Sequence, residues 1–429
     1  MEKICVTGGN RLSGEVEVSG SKNGTLAIMA GALLAKGPTV LRNVPRIGDI
    51  STMIEMLQQL GVVARLIDSN TVEIDATDLK CHEAPYDLVK KMRASFCVTG
   101  PILARLGRAR VPVPGGCDIG ARPVDFHVKG LHALGAKITI EHGYVEAEAD
   151  RLKGAVVYLD MPSAGATQHL MTVAALAEGT TRIENAALEP EVIDLANYLT
   201  AMGAKITGVG KSTIEIEGVD ELHGTDYSMI PDRIEVGTFA IAAAITGGDV
   251  LVKGVTPEHC SAVFQKLQDV GVKVIPEKDQ VRIKSSGSHH ATDIKTMTYP
   301  GFPTDMQQPF AALLSVSEGT SVITETIYER RFRYVSELQR MGADIIQEGR
   351  TAIIKGVPRL TGAEVTATDL RAGAALIIAG LEAEGYTDIS GVEHIDRGYE
   401  GIIAKLKSLG AEITRHETVD RGATADLTT

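Results

Sequence analysis

One short signature recurs six times along the chain: Leu60-Gly61-Val62, Leu134-Gly135-Ala136, Met202-Gly203-Ala204, Val270-Gly271-Val272, Met341-Gly342-Ala343 and Leu409-Gly410-Ala411. The glycines lie 74, 68, 68, 71 and 68 residues apart, a period longer than common solenoid repeats and long enough for a small α/β unit. Before each signature runs an amphipathic segment, such as Ile54 to Leu60 or Val335 to Met341, with apolar positions three or four apart. Each glycine therefore reads as the left-handed stop of a helix, and the residues after it, such as Lys137-Ile138-Thr139-Ile140, as a strand.

Every unit also holds a second, more apolar helix rich in small residues, seen at Thr25 to Leu34, Met171 to Ala177, Phe239 to Ile245, Ala311 to Val316 and Ala372 to Leu381. With so little polar face, these helices belong in the interior. A glycine follows each and opens a strand: Gly37, Gly107, Gly179, Gly247, Gly319 and Gly385. The predicted chain is α/β, built from six repeated units of about 70 residues, each ordered helix, strand, helix, strand, strand. Two groups of three units, with buried helices inside and sheets outside, give two similar lobes. Length agrees, because 429 residues exceed the ~250–300 at which a single core stops growing. Only 4% of residues are aromatic and none is Trp, against 44% hydrophobic, so the interior must be aliphatic.

Net charge is −12, which argues against wrapping nucleic acid with a basic surface. Any anionic ligand must be caught by a local cluster. The N-terminal residues form no apolar leader, and no window reaches ~18 uncharged apolar residues; the expectation is a soluble cytoplasmic protein without membrane contact. Five cysteines, odd in number and without CxxC spacing, indicate neither a disulfide framework nor zinc.

The repeat register places the unusual charges. Fourteen residues before Gly107, Gly247, Gly319 and Gly385 stand Arg93, Arg233, Asp305 and Arg371, and Lys22 lies fifteen before Gly37; all fall at the start of the buried helices. Arg122 and Arg397 stand thirteen residues before Gly135 and Gly410, and Arg331 eleven before Gly342; these head the amphipathic helices. Arginine has the wrong sign for a helix N-terminus, so a collection of them there needs anions to offset it. Any single one can be a solvated cap or ion pair, or part of a site where guanidinium groups and helix ends hold an anionic ligand together. The residues alone leave both readings open.

A further candidate is Cys117 in Pro114-Gly115-Gly116-Cys117-Asp118-Ile119-Gly120-Ala121-Arg122-Pro123. This stretch is too rich in Gly and Pro for a helix or central strand. A nearby guanidinium and a following helix N-terminus would stabilise a thiolate, although an ordinary loop cysteine fits the same residues.

Taken together, Ser19-Gly20-Ser21-Lys22-Asn23, Asp87-Leu88-Val89 with Met92-Arg93-Ala94-Ser95, the Gly-Gly-Cys segment, Pro300-Gly301-Phe302-Pro303-Thr304-Asp305-Met306-Gln307, Thr368-Asp369-Leu370-Arg371-Ala372 and His394-Ile395-Asp396-Arg397-Gly398-Tyr399-Glu400 resemble the motifs of the UDP-N-acetylglucosamine 1-carboxyvinyltransferases, a family of enolpyruvyl transferases. They appear in family order across nearly the whole chain. The resemblance implies a two-domain inside-out α/β barrel, with one domain of residues 1–21 plus 232–429, the other of 22–231, and a loose tail at 416–429. It implies transfer of the enolpyruvyl group of phosphoenolpyruvate to the sugar 3-hydroxyl of UDP-N-acetylglucosamine with release of phosphate, the first committed step of peptidoglycan synthesis, with no metal or cofactor.

By the same resemblance, Lys22, Arg122 and Arg397 hold phosphoenolpyruvate, with Arg331 and Arg371 completing the cationic shell. Asp305 is the base for the sugar hydroxyl, Asp369 is an N-cap or orienting partner, and Cys117 is the reactive thiol and the target of the epoxide fosfomycin. Asn23, Arg93, the run Arg122-Pro123-Val124-Asp125-Phe126, Ser163-Ala164-Gly165 and Ile327 correspond to positions that bind the nucleotide sugar, while Phe126 is equally readable as core. His127, His132, His169 and His394 show no metal spacing and read as packing or surface residues. Two alternatives come with the resemblance. The sister enzyme EPSP synthase shares the architecture but carries a different Ser-Lys signature and lacks the Gly-Gly-Cys loop. A catalytically inactive UDP-sugar-binding regulator would have lost Cys117, Asp305 or Lys22, and all three are present.

Overall fold

The computed structural model describes residues 2–114 and 124–417. Cys117, Arg122 and Pro123 lie outside the described residues. All six signature glycines adopt positive φ, from 84° at Gly61 to 107° at Gly203. This is the left-handed geometry that ends a helix with little cost only at glycine.

Buried apolar residues fall into two clusters. One runs from Ile4 to Val18 and again from Ile234 to Ile413, and the other from Leu26 to Met229. At the centre of the first, the helices Arg233–Ile245, Gln307–Leu314 and Leu370–Glu382 pack against one another. Lys22–Gly31, Thr99–Leu106 and Ala164–Ala174 occupy the corresponding places in the second. The small residues read from the sequence explain the close packing: Ala240 to Ala244 and Ala372 to Ala375 are buried throughout.

Sheets surround these helices, one to each unit. In the fifth unit Thr320–Thr324 pairs in parallel with Ile294–Lys295 and antiparallel with Thr351–Lys355, which in turn pairs with Asp344–Glu348. Their alternating burial turns one face onto the helices. This is the inside-out α/β barrel, two groups of three units with helices within and sheets without.

Periodicity did not reveal how each group closes on itself. Glu2–Thr7 inserts between Tyr386–Ser390 and Glu412–Glu417 and so completes the sixth unit. Ser13–Glu17 adds a parallel strand to Asp249–Lys253 of the fourth, and Asp226–Ser228 does the same for Pro38–Arg42 of the first. Two residues expected in a loose tail, His416 and Glu417, instead pair with Lys3 and Glu2 as the end of a strand. The chain passes between the two cores where Gly20 bridges Pro231 and the Asp232 N–H donates to the Ser19 carbonyl at 2.9 Å.

Candidate active site

Four residues expected to head helices have a different local form, and of these Arg331 lies in a turn four residues before Val335–Arg340 begins. Arg93 and Asp305 sit in 3₁₀ turns, Arg93–Val98 and Thr304–Met306, that lead into the buried α-helices. Arg397 is the C-cap of Val392–Asp396, because Gly401, at φ 56°, interrupts the chain before Ile402–Ser408 begins. Lys22 and Arg371 do lie in the first turns of their helices.

Asp305 is held by two arginines. Arg331 Nη2 donates to its Oδ1 at 2.7 Å and Arg371 Nε to its Oδ2 at 3.1 Å. Both guanidinium groups are buried, with side chains 2% and 5% exposed, whereas Asp305 keeps 25%. Burial works against both charges, and neighbouring groups more than restore them. Tyr399 and Asp305 do so for Arg371, Asp305 and Asp369 for Arg331, leaving both above the ordinary arginine range. Arg331 Nε and Nη1 are buried without a hydrogen-bond partner among the described residues. The adjoining Arg330 is exposed, so the two arginines divide between surface and site.

Asp369 caps the helix that carries Arg371, accepting from the Arg371 and Ala372 N–H groups at 2.8 and 3.0 Å. Its other oxygen accepts from Gln308 Nε2 at 3.1 Å. A buried carboxylate that the motifs did not single out, Glu325, fixes the loop at Ile327: it accepts from Thr296, Thr304 and Gln307 side chains and from the Ile327 and Tyr328 N–H groups.

A second charged group lies where the two cores meet. Lys22 Nζ is 2.9 Å from Asp49 Oδ2, and Arg397 Nε donates to Asp49 Oδ1 at 2.8 Å. Asp232 links this group to the first. Its Oδ2 accepts from the Lys22 N–H at 2.9 Å while Oδ1 caps the helix beginning at Arg233, and its charge acts on Arg371. Arg233 also crosses between the cores, pairing with Glu191 at 3.0 Å.

The expected nucleotide-sugar residues gather less completely. Ser163 caps Ala164–Ala174, its Oγ accepting from the Ala166 N–H at 3.3 Å. A Cβ at Gly165 would stand 3.9 Å from the His127 ring, and the charge of Arg93 acts on the same ring. Val124 is buried, Asp125 opens a helix, and Phe126 packs on the core, in keeping with its apolar reading. Asn23 is exposed and Ile327 half-buried. His127 and His169 are not independent packing residues: their Nδ1 atoms are 3.1 Å apart.

The described residues thus bring together two charged groups, Arg331–Asp305–Arg371 and Lys22–Asp49–Arg397, with Asp232 between them. Residues 6–406 match the model of the family described as EPSP synthase (3-phosphoshikimate 1-carboxyvinyltransferase). Within that group the identities are uneven. The chain is 54% identical over 413 residues to UDP-N-acetylglucosamine 1-carboxyvinyltransferase 1 of Caldanaerobacter subterraneus subsp. tengcongensis, covering 96% of this chain and 99% of that protein. It is 55% identical over 414 residues to the UDP-N-acetylglucosamine 1-carboxyvinyltransferase of Gloeobacter violaceus, covering 96% and 90%. The chain belongs to the UDP-N-acetylglucosamine 1-carboxyvinyltransferase family.

Among solved structures, the enolpyruvyl transferase NikO from Streptomyces tendae superposes with a TM-score of 0.88 at 27% identity, over 97% of this chain and 99% of that one. An EPSP synthase from Acinetobacter baumannii gives 0.75 at 20% identity, over 97% and 100%, and shares the fold alone. Among the described residues, no helix is long and apolar enough to cross a membrane.

Proposed function

We propose that this member of the family transfers the enolpyruvyl group of phosphoenolpyruvate to the 3-hydroxyl of UDP-N-acetylglucosamine, releasing inorganic phosphate, in the cytoplasm and as the first committed step of peptidoglycan synthesis. The observation that carries the reading is Asp305 pinned between buried Arg331 and Arg371, with unused Arg331 donors beside it, in a chain more than half identical to enzymes of that name.

The chemistry is addition followed by elimination. The sugar oxygen attacks C2 of phosphoenolpyruvate while its methylene carbon gains a proton, giving a tetrahedral adduct. Phosphate then leaves from C2 as the methyl group loses a proton, restoring the double bond. Asp305 takes the hydroxyl proton. Lys22, Arg122 and Arg397 bind the phosphate and carboxylate, with Arg331 and Arg371 balancing the charge that builds up. Asn23, Arg93, Pro123, Val124, Asp125, Phe126, Ser163, Ala164, Gly165 and Ile327 receive the nucleotide sugar, and Asp369 orients Arg371. The two lobes, 1–21 with 232–429 and 22–231, close on the substrates and exclude water.

Phosphate release with phosphoenolpyruvate and UDP-N-acetylglucosamine tests the assignment. Release with shikimate 3-phosphate in place of the UDP-sugar would transfer it to the sister activity, and release with neither acceptor would favour a retired regulator. Cys117 is assigned by resemblance alone. Its test is Cys117→Ser, which should abolish or greatly weaken turnover, together with mass spectrometry of the fosfomycin-treated chain. Loss of activity with an unmodified Cys117 would remove the thiol from the mechanism.

A further inference from the structure

We infer that Asp49 is a positioning residue for the phosphoenolpyruvate site, holding Lys22 and Arg397 in register with each other across the cleft. This rests on the reading of those two cations as phosphoenolpyruvate ligands. Asp49 itself is absent from the motifs that define the family resemblance.

The geometry is that of a shared counter-ion. Asp49 is the second residue of Gly48–Gln59, where the first-turn N–H groups favour a carboxylate. Its side chain is only 4% exposed, yet one oxygen faces Lys22 Nζ at 2.9 Å and the other accepts from Arg397 Nε at 2.8 Å. Burial pushes its pKa up, and Lys22 and Arg397 outweigh burial, so the net displacement is downward and the group is ionised at neutral pH. One buried anion thus serves two cations.

Both cations keep donors beyond this contact. Arg397 meets Asp49 through Nε, and its side chain remains 42% exposed, so the far edge of the guanidinium stays open to a second, planar anion. Lys22 spends one of its three donors on Asp49 and keeps two. The two cations come from different cores, Lys22 at the start of a helix buried in one and Arg397 from the other. The backbones beneath are in contact, because a Cβ on Gly48 would stand 3.5 Å from the Asp396 carbonyl oxygen and 3.6 Å from Arg397 Cα. Asn70 Nδ2 also reaches Glu400 Oε1 at 3.1 Å along the same seam. Asp49 therefore sets where Arg397 stands relative to Lys22 each time the seam is closed. A group confined to stability would leave both substrate affinities unchanged or shift them together, and this separates the two roles.

The experiment uses the full chain and initial rates of phosphate release, varying each substrate with the other saturating. Asp49→Asn keeps the shape and one acceptor but removes the charge. It should raise KM for phosphoenolpyruvate about tenfold to a hundredfold, the range for a lost charged hydrogen bond, while KM for UDP-N-acetylglucosamine moves by less than about twofold. Asp49→Glu, which restores the charge at a longer reach, should recover part of the loss. If Asp49→Asn does not fold, Asp49→Glu alone decides, with the same selective rise in KM for phosphoenolpyruvate to a smaller degree. Unchanged KM values with a lower melting temperature, or equal rises for both substrates, would overturn the inference. A wild-type chain that releases no phosphate from this substrate pair would instead overturn the functional reading beneath it.

Discussion

Arg331 and Asp305 form an ion pair at 2.7 Å in which the arginine is buried and the aspartate keeps 25% of its side chain exposed. Arg371 holds the second carboxylate oxygen, so the two arginines together fix the orientation of Asp305. Charge balance and, in the proposed mechanism, proton transfer therefore fall to the same side chain.

Asp305→Asn separates these duties only in part. As a base, Asn cannot accept the hydroxyl proton, and turnover should fall by about 10²–10⁴, with KM values changing far less. As a counter-ion it deprives two buried guanidinium groups of the carboxylate they share, and unfolding free energy should drop by up to roughly 3–5 kcal/mol. Steady-state kinetics and urea unfolding on one preparation read both. Turnover within tenfold of wild type would remove Asp305 from the proton transfer.

Glu191 and Arg233 make the second ion pair between the cores, at 3.0 Å with side chains 6% and 12% exposed. Burial opposes the Arg233 charge and Glu191 more than compensates, raising its pKa. Removing one partner leaves the other charge buried alone. Glu191→Gln and Arg233→Met should each cost about 3–5 kcal/mol, while the double variant should recover much of that loss. Additive single-variant losses would mean that the two groups are uncoupled.

The two acidic partners show what the sequence held and what escaped reading. Asp49 stands twelve residues before Gly61 and Glu191 twelve before Gly203, within one residue of the repeat positions of Arg122, Arg331 and Arg397. A cation is a signal there because its sign is wrong for a helix start; an acid at the same place is ordinary and carries no signal. In space these acids answer cations of the other core, Arg397 and Arg233. The six units and their buried helices were legible because glycine stops and apolar periodicity are local signals. Closure by Glu2–Thr7, Ser13–Glu17 and Asp226–Ser228 was not, since each strand pairs with residues far away in the chain. Glu325 was equally hidden: five hydrogen bonds give it its role, and none belongs to a spaced motif.

His127 and His169 give the fold a dependence on pH. Their Nδ1 atoms are 3.1 Å apart, so one ring donates and the other accepts, and a proton shared this way leaves no room for two charged rings. Burial, helped by the Arg93 charge, takes His127 down to about 4 from its ordinary 6.5. Burial and the neighbouring His127 take His169 well below that ordinary value. Once unfolded, both rings take up protons near 6.5, so between that pH and about 4 the unfolded chain binds more protons than the folded one. The stability from keeping these rings neutral is thus fully present above about pH 6.5 and is lost as the pH falls towards 4. Each ring steepens the loss by up to about 1.4 kcal/mol per pH unit. His169→Gln keeps a polar partner for His127 but cannot titrate. Urea unfolding at pH 7, 5.5 and 4.5 should show a shallower decline for this variant than for wild type, with the curves parallel above pH 7. Equal slopes below pH 6 would mean that His169 is already protonated in the folded chain.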